Sequence, residues 1–137
     1  MNSLVFVVEE CIHLKSFFTR LLGINGISYI FASNSLDATE LFKHNKELIT
    51  YIVFDENSSA YIGKESFDIL AFAKVIGNSK GFHGTIFATS SVPAHYDVLN
   101  KVLGDKLEKY VNFKPLNKLE TINEIIRRIL LKRKKGV

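Results

Sequence analysis

One cysteine, Cys11, is all the thiol chemistry in this chain of 137 residues, so no internal disulfide can form. His13, His44, His83 and His95 are scattered with no Cys/His metal spacing, which argues against a structural zinc. There is no Gly-x-Gly-x-x-Gly after the first apolar run, and hence no sign of a dinucleotide-binding turn. Long apolar runs are also missing. Acid interrupts the amino-terminal MNSLVFVVEE after five apolar residues, which excludes a signal peptide or a membrane span there. A soluble protein of a reducing cytoplasm is the expectation. The basic character is confined as well. The net charge is +4, but Arg127, Arg128, Lys132, Arg133, Lys134 and Lys135 lie together in residues 127–137 with no acid among them. Without those six, 12 basic residues stand against 14 acidic ones. A body without a basic face is a poor nucleic-acid binder.

What is present is a strict alternation of two periods. Hydrophobic residues make up 47% of the chain, enough for one domain that buries about two-thirds of its unfolded surface. Leu4–Val8, Ile27–Ala32, Ile49–Asp55, Thr85–Thr89 and Tyr110–Phe113 read as strands. Ile49–Asp55, ITYIVFD, is the clearest: a continuous run of β-formers, as in strands buried on both faces, ending in a carboxylate. Between and after the strands come helical stripes. They are Leu14, Phe17, Phe18, Leu21 and Leu22; Leu36, Ala38, Leu41 and Phe42; Phe67, Leu70, Ala71 and Val75; Val98, Leu99, Val102 and Leu103; and Leu119, Ile122, Ile126, Ile129 and Leu130. Ser33-Asn34-Ser35 supplies capping candidates for the second helix, and Pro93 suits the first turn of the fourth. Five strand-then-helix units predict an α/β, doubly wound, five-stranded parallel sheet in the flavodoxin-like order 2-1-3-4-5. A closed eight-unit barrel needs roughly 250 residues.

In such a sheet the reactive groups lie at the carboxyl ends of the strands. The first strand delivers Glu9 and Glu10, the third Asp55, the fourth Thr89 and Ser90, and the fifth Lys114 followed by Pro115. Like charges about 4 Å apart repel by roughly 4 kcal/mol at an effective dielectric near 20. Three carboxylates therefore call for a divalent cation, and oxygen ligands without His or Cys select Mg²⁺ or Mn²⁺. A carboxylate so neutralised can act as a nucleophile toward a phosphoryl group, with Lys114 and the Thr89 hydroxyl meeting its oxygens. On this crowded-acid view, Asp55→Asn raises stability in the absence of metal.

Four motifs in order, each closing an expected strand, carry a resemblance: Val-Val-Glu-Glu at 7–10, Ile-Val-Phe-Asp at 52–55 with Gly63 eight residues on, Ile-Phe-Ala-Thr-Ser at 86–90, and Phe-Lys-Pro at 113–115. Over residues 4–130 the sequence resembles the receiver domain of bacterial two-component response regulators. The resemblance implies Asp55 as phosphoacceptor, Glu9 and Glu10 as an acidic metal pair, and the backbone carbonyl of Asn57 as a further Mg²⁺ ligand. It also implies Thr89 and Lys114 as the groups that meet the phosphoryl oxygens. A histidine kinase or phosphotransfer protein would be the donor, and a protein target or an output domain the recipient. The domain is then a phosphoacceptor rather than an enzyme, with residues 1–131 as the receiver and 132–137 as a basic tail, the solvated end of the last helix. The departures are Glu10, where the family usually has Asp, Ser59, where many members have Pro, and Val111, where an aromatic is common. The rival readings are a degenerate receiver that binds partners without phosphorylation, and nucleic-acid binding through residues 127–135.

Overall fold

A computed structural model describes residues 3–55, 68–89, 93–109 and 115–136, with positions 89, 93, 109 and 115–117 described in backbone only. The elements run β1 (Leu4–Val8), α1 (Ile12–Ile24), β2 (Ser28–Ala32), α2 (Ser35–Asn45), β3 (Ile49–Asp55), α3 (Ile69–Gly77), β4 (Thr85–Thr89), α4 (Pro93–Leu103), β5 (Leu107–Lys109) and α5 (Pro115–Lys135). The five strands form one parallel sheet in the order β2-β1-β3-β4-β5. This is the expected topology.

Successive residues of a strand face opposite sides of the sheet, and the core divides accordingly. Phe6, Val8, Ile52, Phe54, Ile86 and Ala88 point toward α2, α3 and α4, where they pack with Phe42, Phe72, Ile76 and Leu99. Val5, Val7, Val53 and Phe87 point the other way, toward Phe18 and Leu22 of α1 and Ile122, Ile125, Ile126 and Ile129 of α5. The first layer is rich in aromatic rings meeting edge to face. Phe72 contacts Phe6, Phe42 and Phe54 at centroid distances of 6.1, 6.2 and 5.2 Å, and Phe42 meets Phe82 at 5.7 Å. α3 approaches α4 closely at Gly77, where an added Cβ would lie 2.6 Å from the Val102 carbonyl oxygen. A side chain there would push the two helices apart.

The structure corrects the expected helix faces in four places. α3 buries Ile69, Phe72, Ala73 and Ile76, not the stripe through Ala71, which is exposed. Its sequence, ILAFAKVIG, is apolar nearly all round, so periodicity alone could not pick the face. The Asp68 carboxylate fixes the start by accepting hydrogen bonds from the Leu70 and Ala71 amides. Phe17, Leu36 and Leu130, all expected on apolar faces, are 48%, 72% and 40% exposed. The strand expected at Tyr110–Phe113 lies outside the described residues. The described β5 is Leu107–Lys109, reached through a 3-10 turn at Gly104–Lys106 and paired on one side only, with β4.

Among the described residues, two of the six carboxy-terminal cations are ion-paired within the fold. Arg128 donates from Nη1 and Nη2 to both oxygens of Glu108, at 2.6 and 2.8 Å, and from Nε to Glu124 at 3.0 Å. Its guanidinium also lies 5.4 Å from the Phe87 ring centre. Arg127 pairs with Glu124 as well. These two arginines hold the Glu124 carboxyl down at about 2, against an ordinary value of 4.5. The folded-state value lies below the unfolded one, so the stabilisation is whole above pH 4.5 and is lost as pH falls through about 2. Melting temperature measured across that window is expected to fall less steeply in Glu124→Gln than in the native protein. An identical slope would show that the pairs do not persist in solution.

α5 continues through residues 132–135. There Arg133 turns back to donate from Nη1 to the Asn25 carbonyl, at 3.2 Å, and from Nη2 to that of Gly26, at 2.9 Å. Both carbonyls follow the end of α1, where Gly26 has a φ of 66°. Arg133→Ala is expected to cost about 1 kcal/mol, the worth of an exposed charge-assisted contact. Urea denaturation measures it, and an unchanged midpoint would mean that the side chain is simply solvated.

Candidate functional site

The site lies at the carboxyl ends of the neighbouring strands β1 and β3, where the sheet order reverses. Glu9 follows directly on β1 and is 5% exposed. Its amide donates to the carbonyl of Ala32, the last residue of β2, at 2.9 Å, which fixes the backbone. Its Oε2 accepts from the Cys11 amide at 3.0 Å, so the carboxylate lies against the positive end of α1. Cys11 itself gives no side-chain cap to that helix. Asp55 closes β3, its side chain 28% exposed.

The group that joins these acids is Lys118, in the second turn of α5 and 6% exposed. Its Nζ donates to Glu9 Oε1 at 2.8 Å, to Asp55 Oδ1 at 3.0 Å and to the carbonyl of Val8, the last residue of β1, at 2.9 Å. An ammonium has three N–H groups and no acceptor, so three oxygens satisfy it completely. The position is otherwise unfavourable. It lies near the positive end of α5, and a buried lysine is tolerated only when paired.

Sequence reasoning missed Lys118, although a signal was there. It falls four residues before Ile122 and three before Thr121, so it shares the buried face of α5 with Thr121, Ile122, Ile125, Ile126 and Ile129. A lysine and a threonine at the start of an otherwise aliphatic stripe mark the place where the stripe meets polar groups.

Of the other expected site residues, Glu10 is half-buried beside Glu9. Thr89 pairs in register with Asp55 at the end of β4. Asn57 and Lys114 lie outside the described residues. Among the described residues no three His, Cys, Asp or Glu side chains gather closely enough to hold an ion. Mg²⁺ holds oxygens at about 2.0–2.1 Å, whereas one oxygen each of Glu9 and Asp55 is turned to an ammonium at 2.8–3.0 Å. As arranged, these two carboxylates do not fit the metal.

No family model and no curated protein matches the sequence. Solved structures do match. A response regulator receiver protein from Pseudomonas putida superposes with a TM-score of 0.63 at 22% identity, covering 90% of this chain and 97% of the other. The receiver domain of the Francisella response regulator 1452 gives 0.62 at 18%, covering 99% and 100%. The chemotaxis protein CheY4 of Vibrio cholerae gives 0.60 at 20%, covering 90% and 98%. Nearly the whole of this chain is laid over nearly the whole of each neighbour. With the 2-1-3-4-5 parallel sheet and the acids at its carboxyl edge, the chain has the fold of a response regulator receiver domain.

Proposed function

We propose that the protein is a signalling receiver in which Asp55 accepts a phosphoryl group from a histidine kinase or a phosphotransfer protein. The observation that carries this reading is the placement of Asp55. It is a part-exposed carboxylate at the end of the central strand, beside a buried ammonium. In the transfer a carboxylate oxygen of Asp55 forms a bond to phosphorus as the P–N bond of the phosphohistidine breaks. The departing imidazole takes a proton from water. Lys118 supplies positive charge next to the oxygen on which the phosphate charge accumulates. Thr89 and Lys114 keep the roles that the resemblance implies for them.

The signal would pass through the face formed by α4, β5 and α5 to a downstream protein or an output domain. The Arg128–Glu108 pair on that face ties β5 to α5. A module fed in this way by a kinase works in the cytoplasm, and among the described residues no helix is long and apolar enough to cross a membrane. Mg²⁺ is the cofactor expected from the resemblance, but the cation at hand in the pocket is the Lys118 ammonium. The same ion pair favours a second reading, an interaction module that works without phosphorylation. Incubation with acetyl phosphate followed by intact-mass and peptide analysis decides between the two. A phosphoryl adduct on Asp55 supports the receiver, and complete absence of an adduct with and without Mg²⁺ supports the interaction module.

A further inference from the structure

We propose that Lys118 is a resident cation that takes the place of a divalent metal in the acidic pocket, so that the native protein holds its acids without Mg²⁺. The inference rests on the receiver reading for the identity of the site, but not on phosphorylation. Three observations carry it. The ammonium is buried and makes three hydrogen bonds to Val8, Glu9 and Asp55. Each N–H therefore has its oxygen, and no donor is left to draw the group toward solvent. Its stem is held by the helix, since Lys118 begins the stripe that continues through Ile122 and Ile126 into the core. The carboxylates it occupies are those through which a metal would be bound, because Glu9 and Asp55 are the acids at the carboxyl ends of the paired strands β1 and β3.

A metal entering this pocket would have to draw oxygens from ammonium distance to metal distance while lying beside a second positive charge. It enters only when the ammonium leaves. Lys118 thus makes the pocket selective against divalent cations.

Calorimetric titration of MgCl₂ into the full-length protein at fixed pH and ionic strength tests this directly, with Lys118→Met, Lys118→Gln and Lys118→Arg alongside. The native protein and Lys118→Arg are expected to show no saturable binding at millimolar Mg²⁺. Lys118→Met, which keeps the length and removes the charge, is expected to bind at least about tenfold more tightly. Should Lys118→Met fail to fold, Lys118→Gln carries the same measurement, because its amide can still bond to the acids. Saturable submillimolar Mg²⁺ binding by the native protein overturns the proposal, and so does an affinity that neither neutral variant improves. Acetyl phosphate labelling is read separately. Its absence, with the metal results as expected, removes the phosphoacceptor reading and leaves the resident cation standing.

Discussion

Lys118→Ala is expected to lower the free energy of unfolding by about 3–5 kcal/mol, the range for removing one partner of a buried ion pair. Two effects add. Glu9, 5% exposed, keeps only the Cys11 amide among its described hydrogen bonds, which leaves a buried carboxylate with no cation. The Val8 carbonyl loses its lysine donor, and a buried position of α5 loses the stem that filled it. Asp55 contributes less to the cost because its side chain is 28% exposed and water can take over. Urea denaturation at neutral pH gives the difference from the shift in midpoint, provided the slopes agree. A loss below about 1 kcal/mol, the value for a surface pair, would mean that the ammonium does not sit between the acids in solution.

The second large effect concerns Asp55. Asp55→Asn is expected to abolish phosphoryl labelling by acetyl phosphate, because the amide keeps the shape of the carboxylate and removes its nucleophilic charge. A persisting adduct would place the acceptor at another residue. The same substitution also separates two electrostatic pictures. With only the acids in view, removing one of three repelling carboxylates raises stability. With Lys118 bound to Asp55 Oδ1 at 3.0 Å, the lost charge is one of the two that hold a buried ammonium. The expected change reverses sign, to a loss of about 1 kcal/mol, since the amide oxygen still accepts the hydrogen bond. A higher melting temperature for Asp55→Asn would restore the crowded-acid picture.

The contrast shows what the sequence makes legible. Continuous apolar runs such as Ile49–Phe54 mark strands covered on both faces, and their alternation with helical stripes leaves few topologies. Glu9 and Asp55 were legible because acid that ends a buried strand must lie at the sheet edge. β5 was hard to find for the opposite reason. Its described part, Leu-Glu-Lys, has one apolar residue and pairs on one side, so it carries no run of β-formers. Lys118 escaped because a helix is read by its apolar residues, and lysine counts as the polar face. Only the distance of 109 residues closed by the fold reveals that this lysine points inward. Arg127 and Arg128, read only as part of a basic cluster without acid, are matched by Glu124 and by Glu108 of β5, a partner that periodicity cannot supply.

The ring cluster of Phe6, Phe42, Phe54, Phe72 and Phe82 has a bearing on the order in which the molecule comes together. All five rings belong to the first 82 residues, so a chain emerging from its amino terminus has that layer's aromatic contacts in hand before α5 has been made. The lysine follows Glu9 by 109 residues and Asp55 by 63. Contacts across such separations must await the closure of a long loop. During synthesis, then, the carboxyl edge of the sheet passes through a stage in which its acids face solvent without Lys118. Docking of the last helix is the event that closes the edge.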